Sequence, residues 1–158
     1  MTDEKRHTLS DRRRFPRGGR RAGDQPGRHP CVLVAEPYEG VRRQCVRYLT
    51  LFNFQAEEAV DAVQALEASM RLQPALVIAD LALVTAMDGR LAYGLAGDGR
   101  TQHVRVIGLA DLEEDAAAGD RLPQIGGVLV KPFRLAALLE EMRRLLRLPR
   151  PAEDVAGV

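Results

Sequence analysis

Residues 75–80 read Ala75-Leu76-Val77-Ile78-Ala79-Asp80, five apolar residues closed by a single carboxylate. Pro74 precedes the run and no polar residue interrupts it, which predicts a strand buried on both faces of a parallel sheet. In open α/β sheets, ligands bind in the crevice at the carboxyl ends of the strands. We therefore expect Asp80 to lie in a functional site.

Four more runs predict the other strands of this sheet, at residues 31–35, 54–59, 104–109 and 127–130. The run at 54–59 is partly polar because it carries Glu57 and Glu58, and we expect it at an edge of the sheet. The order of the runs predicts five strands, each followed by a connecting segment.

Apolar residues at helical spacing predict helices in those connections. Residues 41–52 form the first. The second is built from Val60, Val63, Leu66, Met70 and neighbouring alanines, and it ends before Pro74. A loop at 83–89 and a poor helix at 90–95 follow, then a short, acidic helix at 111–121 and an amphipathic helix at 135–148. Strands alternating with helices imply the α/β class, with a parallel sheet covered on both faces.

Charge divides the 158-residue chain into a basic arm and an acidic domain. Residues 1–30 hold nine Lys/Arg and four Asp/Glu, a net of +5, whereas the remainder holds fourteen and eighteen, a net of −4. The arm is rich in Arg, Gly and Pro, and we expect it to be disordered. It can contact nucleic acid or an anionic surface, or be a solvated tail. The predicted organisation is arm 1–30, domain 31–148 and tail 149–158.

Several classes of protein are disfavoured. No run is long enough to cross a bilayer, and the N-terminus lacks the apolar core of a signal peptide. Cys31 and Cys45 have no metal or redox spacing, and we expect buried, reduced thiols in a cytoplasmic protein. The chain has no GxGxxG after the first strand and no GxxxxGK[ST], which argues against a nucleotide-binding enzyme.

Three motifs occur in a distinctive order along the predicted domain. Val32-Leu33-Val34 leads into the acidic Glu36, Asp80 is followed by Met87-Asp88-Gly89, and Lys131-Pro132-Phe133 follows the last strand. With these motifs, residues 32–148 resemble the receiver domain of bacterial two-component response regulators. The resemblance implies a flavodoxin-like (βα)5 fold with a doubly wound, parallel, five-stranded sheet.

The resemblance also assigns roles to individual residues. Asp80 would accept a phosphoryl group from a histidine kinase or phosphotransfer protein, and Lys131 would pair with that group. Glu36 and Asp80 would hold Mg²⁺, which together with the ammonium relieves the repulsion between carboxylate and phosphoryl group. Pro132 would follow a cis peptide bond, as in the family.

Three positions depart from the family pattern. Pro37 stands where a second acid is expected, so Mg²⁺ binding would be weak or absent. Ala110 replaces the hydroxyl residue that ends the fourth strand, and Val128 replaces an aromatic residue. This combination is typical of a degenerate receiver, or pseudo-receiver.

The sequence thus predicts a non-enzymatic, single-domain, response-regulator-like receiver. Its output would be docking of a downstream protein through the fourth helix, fifth strand and fifth helix, because residues 149–158 are too few for an output domain. Two alternatives stay open: a phosphorylation-independent pseudo-receiver, and a binder of nucleic acid or anionic surfaces through the arm. A homodimer also stays open.

Overall fold

The computed structural model describes residues 29–148, so the predictions for the arm up to residue 28 and for the tail lie outside the described residues. Within 29–148, five strands form one sheet in the order β2-β1-β3-β4-β5, and every neighbouring pair is parallel. They are β1 (His29–Ala35), β2 (Phe54–Ala59), β3 (Leu76–Asp80), β4 (Arg105–Ala110) and β5 (Ile125–Val130). The predicted fold class is confirmed, and β2 lies at an edge as expected.

One helical segment follows each strand in the described part of the chain. The helices are α1 (Glu39–Leu51), α2 (Ala62–Leu72), α3 (Leu81–Gly97), α4 (Glu113–Gly119) and α5 (Leu135–Leu146). Helix α4 has seven residues, which agrees with the short helix expected from its thin apolar face. None of the helices within 29–148 is both long and apolar enough to span a membrane.

The sheet is buried on both faces because successive strand residues point to opposite sides. Leu33 and Val77 belong to the core that includes residues of α2 and α3, whereas Val34 and Ile78 belong to the core that includes residues of α1 and α5. All five residues of β3 are buried. The uninterrupted apolar run before Asp80 is thus explained by helices that cover both faces.

Helix α2 differs from the prediction in the face that it buries. Its buried residues are small or lie near its end: Ala62, Ala65, Ala68, Ser69 and Leu72. Val60 precedes the helix, because Asp61 is its N-cap and its side chain accepts a hydrogen bond from Gln64 N. Both Val60 and Val63 are 38 % exposed. The predicted contribution of these two valines to the buried face is wrong, whereas the neighbouring alanines do form the face that packs against α3 and the sheet.

The region after β3 is also more helical than predicted. Asp80 caps a helix that starts at once with Leu81, so the start of the predicted 83–89 loop is helical. The backbone leaves the helical conformation only at Ala86–Gly89, where Met87, Asp88 and Gly89 have φ values of 54°, 58° and 77°. The loop is therefore a kink within α3.

Two smaller predictions are confirmed. The Lys131–Pro132 peptide bond is cis. Cys31 and Cys45 are buried thiols and not a disulfide pair.

Candidate functional site

The carboxyl ends of three strands bring Glu36, Asp80 and Lys131 together. Asp80 ends β3, and Glu36 and Lys131 come directly after β1 and β5. The backbones of Glu36 and Lys131 continue the hydrogen bonding of the sheet. Glu36 N donates to Ala59 O at 3.0 Å, and Lys131 N donates to Ala110 O at 2.8 Å. Rigid backbone thus positions all three predicted site residues.

The Lys131 ammonium lies between the two carboxylates. Its Nζ is 2.6 Å from Asp80 Oδ2 and 2.8 Å from Glu36 Oε2. The Asp80 and Glu36 side chains are 3 % and 0 % exposed, and that of Lys131 is 13 % exposed. Burying two carboxylates is costly unless a cation compensates them, so this ammonium stabilises the site.

The pKa of Lys131 is raised because the two carboxylates stabilise its charged form more than burial destabilises it. Burial by itself lowers the pKa of this ammonium, but hydrogen bonds to Asp80 and Glu36 and their negative charges raise it further than burial lowers it. The pKa therefore lies above the ordinary value for lysine, and Lys131 is a permanent cation at neutral pH.

Backbone groups hold the remaining carboxylate oxygens. Asp80 Oδ1 accepts a hydrogen bond from Ala82 N at 2.8 Å, and Glu36 Oε1 accepts one from Tyr38 N at 3.0 Å. Each carboxylate therefore has one oxygen on a backbone N–H and the other facing the shared ammonium. The orientation of both acids is fixed before any ligand binds.

Two residues near Lys131 were not predicted from the sequence. The Tyr38 ring centroid lies 5.2 Å from Nζ, within the range of cation–π attraction, although the side chain is 61 % exposed. Asp111 Oδ1 lies 3.6 Å from the same Nζ. A charged residue directly after a buried strand is a signal that could have identified Asp111, whereas no sequence pattern indicates Tyr38.

A cavity of about 360 Å³ opens beside Asp80, between the start of α3 and helix α4. Asp80, Leu109 and Asp111 line it, together with Asp115 and Gly119 of α4. The cavity gives a ligand a route to a carboxylate that is otherwise buried.

Two of the three departures seen in the sequence lie directly beside site residues along the chain. Pro37 follows Glu36 and is exposed, and Ala110 is buried at the end of β4. Neither side chain has an oxygen, so neither can bind a cation or donate a hydrogen bond to a ligand. Val128, where the resemblance implies an aromatic residue, lies on β5.

The donor set partly fits Mg²⁺. Glu36 Oε2 and Asp80 Oδ2 converge on one cation, since both lie within 2.8 Å of the same ammonium. Proteins commonly bind Mg²⁺ through one or two carboxylates and several waters. Residues 29–148 contain no group of three His, Cys, Asp or Glu side chains arranged for a metal. The site therefore offers the two buried carboxylates of Glu36 and Asp80 and lacks the one that an acid at position 37 would add.

Comparison with known proteins identifies response regulators that are similar to this chain in sequence. No model of a known protein family matches the chain. Response regulator MprA of Mycobacterium avium (strain 104) is 30 % identical over 134 residues, which cover 80 % of this chain and 55 % of that protein. The chain thus spans about half the length of the curated relatives it matches.

Solved structures show the same fold. The receiver domain of Francisella response regulator 1452 superposes with a TM-score of 0.63 at 20 % identity, covering 75 % of this chain and 98 % of that chain. A response regulator from Desulfuromonas acetoxidans gives a TM-score of 0.65 at 17 % identity, covering 74 % and 96 %. The chain is similar to response regulators in sequence and has the flavodoxin-like fold of their receiver domains.

Proposed function

We propose that this chain, which has the receiver-domain fold and sequence similarity to response regulators, acts in two-component signalling with Asp80 as its phosphoacceptor. The observation that carries the proposal is the contact of 2.6 Å between Asp80 Oδ2 and Lys131 Nζ at the carboxyl ends of β3 and β5. This contact sets a carboxylate nucleophile beside a permanent cation, next to a cavity that a phosphodonor can enter.

In the proposed reaction, one carboxylate oxygen of Asp80 attacks the phosphorus atom of the donor. The bond between phosphorus and the donor breaks, and the donor leaves with the bonding electron pair. Lys131 stays within reach of Asp80 and offsets the negative charge of the phosphoryl oxygens. Ala82 N holds the second carboxylate oxygen and so keeps Asp80 oriented.

Glu36 and Asp80 would hold Mg²⁺, which when bound neutralises charge on the phosphoryl oxygens. The histidine kinase or phosphotransfer protein expected as donor, and the downstream protein expected as output, belong to this proposal. We propose docking through α4, β5 and α5, since α4 borders the cavity beside Asp80.

The test is incubation of the full chain with acetyl phosphate and Mg²⁺, followed by intact-protein mass spectrometry. We expect an acid-labile gain of one phosphoryl group that Asp80→Asn abolishes. Asp88→Asn is the matched control, because Asp88 is exposed with a φ of 58° that asparagine tolerates. Modification that persists in Asp80→Asn contradicts the proposal.

A second candidate function is phosphorylation-independent docking by a pseudo-receiver. It is favoured by Asp80 having both oxygens engaged, one by Ala82 N and one by Lys131 Nζ, while Ala110 has no hydroxyl to sense a phosphoryl group. For this candidate, acetyl phosphate leaves amide hydrogen exchange in α4 and α5 unchanged. For the proposed function, exchange there changes in the wild type and not in Asp80→Asn.

A further inference from the structure

We infer that Asp111 is a specificity-determining residue whose carboxylate keeps anionic phosphodonors from reaching Asp80 readily. The inference deepens the proposed function and rests on it, because it concerns access to the same acceptor. Its basis is that Asp111 both lines the cavity beside Asp80 and lies 3.6 Å from the Lys131 ammonium that contacts Asp80.

Asp111 faces the site from the end of β4. It directly follows Ala110, the last residue of that strand, and its Oδ1 lies 3.6 Å from Lys131 Nζ. Its side chain is 59 % exposed and also lines the cavity that leads to Asp80. A ligand in this cavity therefore lies near the Asp111 carboxylate.

The charges around the cavity disfavour an anion. The charged residues among those that line it are Asp80, Asp111 and Asp115, all acidic. Lys131 is the cation at this site, and it already contacts Glu36, Asp80 and Asp111. Without a bound metal ion, three carboxylates around one ammonium leave a net charge of −2, and a phosphoryl group adds up to about two more negative charges.

Neutralising Asp111 should accordingly favour anionic ligands. The interaction energy of two unit charges about 4 Å apart in water changes an equilibrium constant about fivefold. Because Asp111 is exposed to water, we expect its effect on ligand binding to be of this size. We expect Asp111→Asn to raise the rate of phosphorylation by acetyl phosphate about 3- to 10-fold at low salt. The gain should shrink at high salt, because exposed charges are screened.

The experiment compares initial phosphorylation rates of full-length wild type, Asp111→Asn and Glu114→Gln, at low and high ionic strength. Glu114 is the matched control, an exposed acid of α4 that does not line the cavity. We expect a change of less than about twofold in Glu114→Gln, since its charge is screened by water. If wild type is phosphorylated, an equal rate in Asp111→Asn overturns the inference.

A second readout separates the inference from the proposed function. Affinity for inorganic phosphate, measured by ³¹P line broadening, needs no transfer to Asp80 and should rise about 3- to 10-fold in Asp111→Asn. If no variant is phosphorylated but phosphate affinity rises, the proposed function fails and the role of Asp111 stands. If neither phosphate affinity nor rate rises, the inference is wrong. Asp111→Ser, equally uncharged, replaces the asparagine variant if that variant does not fold.

Discussion

Lys131→Met removes the ammonium from the site while keeping an unbranched side chain of similar length. Glu36 and Asp80 then face each other with side chains 0 % and 3 % exposed and without the cation that lies within 2.8 Å of both. Removing one partner of a buried ion pair typically costs about 3 to 5 kcal/mol. For a domain of this size, that cost corresponds to a fall in Tm of roughly 10 to 20 °C.

Urea unfolding followed by circular dichroism measures this change directly. The matched control is Arg43→Met, which removes a cation paired with Glu39 at 2.7 Å where both side chains are more than half exposed. That change should cost less than about 1 kcal/mol, because surface ion pairs contribute little. The combined variant Lys131→Met/Asp80→Asn should recover part of the loss, since it leaves one buried charge instead of two.

The difference in unfolding free energy between wild type and Lys131→Met depends on pH because the pKa of Lys131 is raised in the folded state. A lysine whose pKa is higher in the folded state contributes its full stability below the ordinary lysine pKa and loses it as pH rises through the folded value. The part of the stability gap between wild type and Lys131→Met that comes from the lysine charge should therefore be fully present at neutral pH and be lost only above about pH 10 to 11. A gap below about 1 kcal/mol at pH 7 would refute the account of the buried ion pair.

Three further predictions concern the core and the arm. Gly108→Ala should destabilise the domain by about 1 to 3 kcal/mol, because its Cβ would lie 2.6 Å from Leu81 Cδ2, whereas Gly97→Ala, with open space around it, should be nearly neutral in the same denaturation assay. Burial, and then the charge of Glu36, raise the pKa of Cys45 from 9.0 to about 11. Alkylation of its thiol at pH 8 should therefore be slow unless the protein unfolds. The free energy of unfolding should fall between pH 9 and 11, because the thiol ionises at lower pH in the unfolded chain than in the folded one. If the arm binds nucleic acid, replacing Arg12–Arg14 with serine should weaken binding to single-stranded DNA in fluorescence anisotropy and reduce the salt slope by about 2; an unchanged slope would argue against phosphate contacts by these residues.

Much of the fold follows from the sequence because its strands carry simple signals. The run before Asp80 is buried on both faces in the sheet, and the polar run with Glu57 and Glu58 lies at the edge. Helix α2 was harder to predict because its buried face is formed mainly by alanines, while Val63 is exposed. Hydrophobicity alone does not indicate that small residues permit close packing between two helices.

The site was predictable where each strand end contributes one charged residue. Glu36, Asp80 and Lys131 follow or end apolar runs, and the parallel sheet brings them together. Asp111 was missed although it directly follows the buried strand β4, whereas the place of Tyr38 near Lys131 depends on side-chain directions after the strand ends. Such directions follow from turn geometry and packing, which a pattern of apolar residues does not specify.

The proposed role of Asp80 is tested most directly by locating the phosphoryl group within the chain. Treatment of the phosphorylated protein with borohydride reduces an aspartyl phosphate to homoserine, which peptide mass spectrometry can assign to one position. We predict homoserine at position 80 after incubation with acetyl phosphate, and aspartate there without the donor. Homoserine at another position, or aspartate at position 80 under both conditions, would contradict the assignment of Asp80 as phosphoacceptor.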